Sequence, residues 1–112
     1  MAISINSVEK LQQYLGGVLQ RADHHAGKVE GVALALLGAV VWKSTGEIEV
    51  REYAGRPANI LWFWIEQNRY ALTYNHQTEK IELKERTQGG QTLHELHNET
   101  TYQEIIDIFK SL

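Results

Sequence analysis

Ile60-Leu61-Trp62-Phe63-Trp64-Ile65 places six large apolar side chains in a row, and the reading of this run decides the fold. In a strand, successive side chains point to opposite faces. Ile60, Trp62 and Trp64 then share one face, and Leu61, Phe63 and Ile65 the other. Both faces need cover from water. In a chain of 112 residues, helices cover one face of a sheet readily and two with difficulty. The run therefore predicts a sheet with helices on one side and a second copy of the chain, or a ligand, on the other.

Strands and turns alternate around this run. Ala39 to Lys43 reads as the opening strand, followed by a turn at Ser44-Thr45-Gly46. Glu47 to Tyr53 alternates, with Ile48 and Val50 on one face and Glu49 and Arg51 on the other. Ala54 to Pro57 reads as a loop and Asn59 to Glu66 as the doubly apolar strand. Gln67-Asn68 suits a two-residue hairpin turn, because asparagine tolerates the left-handed conformation. Arg69 to Tyr74, Ile81 to Lys84 and Thr92 to His97 complete the set, separated by turns at Asn75–Glu79 and Gln88–Gln91. Short turns at regular spacing predict a sequential antiparallel meander of five or six strands.

Helical periodicity flanks the meander. Asn6 and Glu9 fit a capping box, and Val8, Leu11, Leu15, Val18, Leu19 and Ala22 recur at helical spacing. These predict a helix from Ser7 to His25, closed by Gly27. Gly16 and Gly17 inside it each cost roughly 1 kcal/mol relative to alanine and point to a close neighbour. Val29 to Leu37 fits a short helix or a strand; we favour the helix, with Gly38 as its exit. Thr101 and Glu104 form a second capping box before the apolar stripe Tyr102, Ile105, Ile106, Phe109 and Leu112. The expected fold is one α+β domain over residues 1–112: a helix, a short second helix, the meander, and a C-terminal helix packed on one sheet face.

Composition narrows the function classes. Apolar residues make up 43% and charged residues 22%, which suits a folded globular chain. A net charge of −3 and an isoelectric point of 5.9 argue against a dedicated nucleic-acid binder, whose footprint is usually strongly basic. The absence of cysteine excludes disulfides, thiolate metal sites and cysteine nucleophiles. The N-terminus Met-Ala-Ile-Ser-Ile-Asn lacks the basic and apolar regions of a signal peptide. The apolar stretch Val32 to Trp42 is too short to span a bilayer. A cytoplasmic location with no membrane contact is expected.

Several stretches carry a resemblance when taken in order: Ala22-Asp23-His24-His25-Ala26, Val32 to Trp42, Ile60-Leu61-Trp62, Arg69-Tyr70-Ala71, Tyr74-Asn75-His76, Lys80-Ile81-Glu82 and Leu93-His94. Together they resemble a family of small bacterial proteins of unknown function, some carried as mobile gene cassettes in integrons. The resemblance covers nearly the whole chain, and its motifs are not catalytic signatures. It implies a compact bacterial protein of accessory or adaptive role, and lends no activity, substrate or cofactor.

Asp23-His24-His25 is the most chemical-looking tripeptide, since imidazole and carboxylate are standard ligands for zinc and manganese. Adjacent helical residues diverge by about 100 degrees, however, so the three cannot share one metal unaided. The helical zinc spacing, two histidines four apart, is absent. Asp-His-His also occurs in a large phosphoesterase superfamily that needs further aspartate-rich motifs, and this chain has two aspartates, Asp23 and Asp107. Histidines near a helix C-terminus are accounted for by capping and the helix dipole. His94 and His97 lie three apart on a strand and face opposite ways. A polar cluster of Asp23, His24, His25 and His94 requires the fold to join them. None of Ser4, Ser7, Ser44 and Ser111 sits in a nucleophile elbow, and Gly89-Gly90 opens no phosphate loop.

The sequence thus assigns no catalytic residue, no metal and no cofactor, and leans away from an enzyme. Its leading reading is a binding or assembly module that forms a homodimer through an aromatic sheet face. The alternative is a small-molecule binder or enzyme, its ligand unidentified. The pocket would lie between sheet and helices, lined by Trp62, Trp64, Tyr70, Tyr74 and His76.

Overall fold

The computed structural model describes the backbone of residues 2–25, 29–53 and 56–112, and the side chains of residues 4–17, 29–51 and 60–112. The elements run β1 (Ala2–Ile5), α1 (Val8–His25), α2 (Glu30–Lys43), β2 (Ile48–Tyr53), β3 (Arg56–Ile65), β4 (Asn68–Asn75), β5 (Lys80–Glu85), β6 (Thr92–Leu96) and α3 (Tyr102–Ser111). Among the described residues the six strands form one sheet in sequence order. Every neighbouring pair is antiparallel. The class is α+β, with the expected meander and flanking helices.

The register answers which face the helices cover. Leu61 lies opposite Val50 on β2 and Leu72 on β4, and Leu72 lies opposite Leu83 on β5. Opposed residues share a face. These side chains join Phe63, Ile65, Leu96, Tyr14 of α1, Leu36 and Val40 of α2, and Ile105 and Phe109 of α3 in one buried core. Phe63 stacks on Phe109 with centroids 5.9 Å apart and meets Tyr70 at 5.6 Å. Full burial of such a ring stabilises by about 1.5–3 kcal/mol, and ring pairing adds about 0.5–1.5 kcal/mol. The face of Ile60, Trp62 and Trp64 carries no described helix.

Two elements differ from expectation. The stretch Ala39 to Lys43 is not a strand but the last turn and more of α2, which runs through Gly38. The Ser44 amide closes the helix on the Val40 carbonyl at 2.9 Å. Val40 and Val41 favour strands locally, but Val32, Ala33, Leu36, Leu37 and Val40 bury one helical face against the core, and that packing overrides the local preference. The sixth strand is instead β1, whose backbone pairs with β2 from Ala2↔Arg51 to Ile5↔Ile48. Four residues are too few to display alternation.

Smaller shifts have local causes. The cap of α1 is Ser7, whose Oγ accepts the Lys10 amide at 3.1 Å, one residue beyond the expected Asn6. Nothing lies within 4 Å of a Cβ placed on Gly16, so it marks no close approach. Gly27 falls outside the described residues, as do Ala54 and Gly55 of the expected loop. Arg56 and Pro57 of that loop belong to β3, pairing with Tyr53 and Glu52 beyond an irregularity after Val50. The hairpin turn is Glu66-Gln67 rather than Gln67-Asn68, because Ile65 pairs with Asn68. Glu66 takes φ 56°, and its amide donates to Thr45 Oγ1 at 2.6 Å. The capping box at Thr101 and Glu104 is present as expected.

Candidate functional site

The register separates the five aromatic and histidine residues expected to line one pocket. Trp62 pairs opposite Ala71 and Trp64 opposite Arg69, on the helix-free face. Tyr70 pairs opposite Phe63, is 8% exposed and belongs to the core on the other face. Tyr74 packs at the edge of that core and meets the ring of the exposed His76 edge-on at 4.8 Å. The pocket between sheet and helices is a cleft of about 100 Å³ lined by Tyr14, Leu36, Leu61, Leu72 and Tyr74 among others. Tyr74 alone of the five reaches it. Ligand pockets usually run to about 300–1,000 Å³.

The expected polar cluster of Asp23, His24, His25 and His94 falls largely outside the described residues. Asp23, His24 and His25 are the last residues of α1, which agrees with a helix terminus, but their side chains lie outside the described residues. His94 is exposed on β6, paired opposite Leu83. His97 is occupied locally: its Nδ1 accepts the Glu99 amide, and its own amide donates to Thr100 Oγ1. Among the described residues no three of histidine, aspartate and glutamate stand close enough to hold a metal ion.

The helix-free sheet face has an ordered pattern of charge. One row across the sheet reads Glu49, Trp62, Ala71, Lys84. The next reads Ile60, Thr73, Glu82, Glu95. The guanidinium groups of Arg51 and Arg69 lie 5.4 and 5.1 Å from the centroid of the Trp62 ring, and Glu49 approaches Arg69 at 3.8 Å. Lys84 approaches Glu82 at 3.5 Å. Ile60 is 1% and Trp62 6% exposed. For Trp62, cover that the sequence appeared to require from outside is thus supplied within the subunit by arginine side chains lying across the ring. Trp62 Nε1 and Thr73 Oγ1 are buried there with no hydrogen-bond partner among the described residues. An open, polar groove of about 580 Å³ at the β3–β4 hairpin end includes Trp64, Asn68, Arg69, Glu85 and Arg86.

The uncovered apolar surface lies on the helices. Leu34, Val41 and Trp42 of α2 are each about half exposed, at 51%, 53% and 53%, and Tyr102 of α3 is 78% exposed. Between α2 and α3 runs a groove of about 210 Å³, with Ala35, Gly38 and Ala39 on α2, Ile105 and Ile106 on α3, and Trp42 and Tyr102 at its edges. Sequence reasoning missed this site because it ended α2 at Gly38. The available signal was that residues 31–42 are apolar at every phase of the helix, and a helix apolar all round is normally buried all round.

The model of the VCH_CASS14 family, described as integron cassette protein VCH_CASS1 chain, matches residues 11–105. The chain belongs to this integron cassette protein family. The match reaches from the first turns of α1 into α3, so it covers β2 to β6 and, apart from Ile106, the α2–α3 groove. The integron cassette family is one of unknown function and agrees with the resemblance carried by the sequence. No curated protein matches the chain. Among the described residues, no helix of this integron cassette protein is long and apolar enough to cross a membrane.

Proposed function

We propose that this integron cassette protein is a non-enzymatic, self-associating binding module that works as a cytoplasmic homodimer. The observation that carries the proposal is the exposed apolar surface of α2 and α3. Leu34, Val41 and Trp42 are half exposed and Tyr102 more so. Apolar patches of this kind mark contacts between proteins, and soluble homo-oligomers are most often twofold dimers. The cysteine-free composition fits a reducing compartment.

A second reading keeps the contact on the aromatic sheet face. It is favoured by the charge pattern, in which Glu49 and Lys84 lie in one row on either side of Trp62 and Ala71. A twofold axis along the strands between β3 and β4 would set Glu49 against Lys84 of the other copy and Trp62 against Ala71. Against it, Ile60 and Trp62 are already covered, so docking removes little apolar surface from water and must desolvate Glu49, Arg51, Arg69, Glu82 and Lys84. The small-molecule alternative has the weakest support, because the cleft beneath Tyr74 holds about 100 Å³.

Sedimentation at micromolar concentration tests the proposal. The expected mass is twice 12.8 kDa. Trp42→Glu should return the protein to monomer and Lys84→Glu should not. A wild-type mass of 12.8 kDa overturns self-association, and the reverse pattern of variants moves the contact to the sheet.

A further inference from the structure

The groove of about 580 Å³ at the β3–β4 hairpin end has the size of a small-molecule site. It is separate from the cleft of about 100 Å³ beneath Tyr74. Trp64 and Leu93 give it apolar wall, and Arg69, Tyr70, Glu85 and Arg86 give it polar groups. Tyr70 is 8% exposed, with its ring against Phe63. Among the described residues its hydroxyl makes no hydrogen bond. A buried tyrosine hydroxyl ordinarily has a partner, and a molecule seated in the groove can supply one.

Arg86 takes φ 69°, a left-handed conformation that glycine adopts freely and a residue with a Cβ adopts at a cost. Gly89 and Gly90 lie in the same loop, but the left-handed position is held by arginine. Its backbone is pinned there. The Arg86 amide donates to the Arg69 carbonyl, and the Thr87 amide to the Glu85 carbonyl, each at 2.8 Å. Among the described residues the Arg86 guanidinium has no carboxylate partner. Backbone strain held in place beneath an unpaired cation is an arrangement typical of binding groups. The wall opposite is also fixed. A Cβ on Gly46 would stand 3.3 Å from Trp64 Cβ, so the turn before β2 packs on the base of the indole.

Charge and shape together define what fits. Arg69 and Arg86 outweigh Glu85 in the groove, and Arg69 is already shared with Glu49 at 3.8 Å. The surplus suits a single negative charge. A guanidinium presents paired N–H donors that match a carboxylate, and a flat apolar body suits the indole wall. We propose that this groove binds a small aromatic carboxylate. Its carboxylate is received by Arg86 and the Tyr70 hydroxyl, and its ring lies against Trp64. The site uses no residue of α2 or α3, so it goes beyond the self-association proposed above and does not depend on it.

Titration of 2-naphthoate into the full-length, nitrogen-15-labelled chain tests the proposal by NMR. Saturable shifts are expected at the Trp64 indole and at the Tyr70 and Arg86 amides. The neutral isostere 2-naphthamide should bind at least tenfold more weakly. Arg86→Gly should weaken naphthoate binding at least tenfold while the melting temperature holds or rises, because glycine relieves the left-handed conformation. Tyr70→Phe should weaken binding several-fold with cooperative melting retained. The proposal is overturned by the absence of saturable shifts at millimolar naphthoate, or by shifts confined to residues outside the groove. Equal binding of naphthoate and naphthamide, or undiminished affinity in Arg86→Gly, overturns it as well. Inorganic phosphate competing as well as naphthoate overturns the role of the indole wall and with it the ligand class. Sedimentation reads the dimer separately, so a monomer that binds naphthoate in this way overturns self-association alone.

Discussion

Asn98, in the turn between β6 and α3, accepts the backbone amide of Val32 through Oδ1 at 3.1 Å, across 66 residues of sequence. Val29, which precedes α2, makes no side-chain cap, so this remote asparagine satisfies an amide that the helix start would otherwise leave orphaned. The bond also ties α2 to the segment that leads into α3. Asn98→Ala should cost about 0.5–2 kcal/mol, the range for losing a helix cap, and lower the melting temperature accordingly. Asn98→Asp keeps the acceptor and should cost less. Equal losses from the two variants would assign the effect to something other than the cap.

Gly90 is held by space rather than by an unusual backbone angle. A Cβ there would be driven into the Glu85 carbonyl oxygen, within a loop closed by Glu85 amide to Gln91 carbonyl, Thr87 amide to Glu85 carbonyl and Gly90 amide to Thr87 carbonyl. Gly90→Ala must displace backbone and should destabilise by roughly 1–3 kcal/mol. Gly89, with nothing within 4 Å of its Cβ position, provides the control, and Gly89→Ala should be close to neutral. Chemical denaturation of both variants measures the difference.

Metal removal should leave stability unchanged. The described histidines and carboxylates form no group of three, and His97 Nδ1 is engaged by the Glu99 amide at 3.1 Å. Melting curves with and without a strong chelator are expected to coincide. A fall in melting temperature that zinc restores would refute this and direct attention to Asp23, His24 and His25 at the end of α1.

The doubly apolar strand was legible in detail, because alternation over Ile60 to Ile65 fixes two faces whatever the partner strands are. Its hairpin was legible to within one residue. The α3 terminus was legible because Thr101 and Glu104 bond reciprocally within four residues. The course of α2 was not, since Val29 to Lys43 is apolar at both helical and strand periods and only packing of Leu36 and Val40 decides between them. The cover on the aromatic sheet face was not legible either. Cover of Trp62 by Arg51 and Arg69 depends on residues from two neighbouring strands, which pattern along one strand does not reveal. Trp42 lies at the exposed end of α2, which a strand over Ala39 to Lys43 does not imply.

Arg69 offers the most direct check on how the sheet keeps Trp62 from water. Its guanidinium lies 5.1 Å from the indole centroid, and Glu49 approaches it at 3.8 Å with both side chains roughly a third exposed. An ion pair that exposed contributes little by itself, about 0–1 kcal/mol. The cation–π contact is worth about 0.5–1 kcal/mol at such a site. Arg69→Ala removes both and also the cover over the ring. The expected stability loss is therefore modest, about 1–2 kcal/mol, while the change in Trp62 exposure should be large. In a Trp42→Phe, Trp64→Phe background, Trp62 is the only indole. Its emission should shift to the red, and acrylamide should quench it more strongly once Arg69 is removed. Unchanged emission and quenching would mean that Arg51, at 5.4 Å from the same ring, suffices alone, and the double variant Arg51→Ala, Arg69→Ala would then be required to expose it.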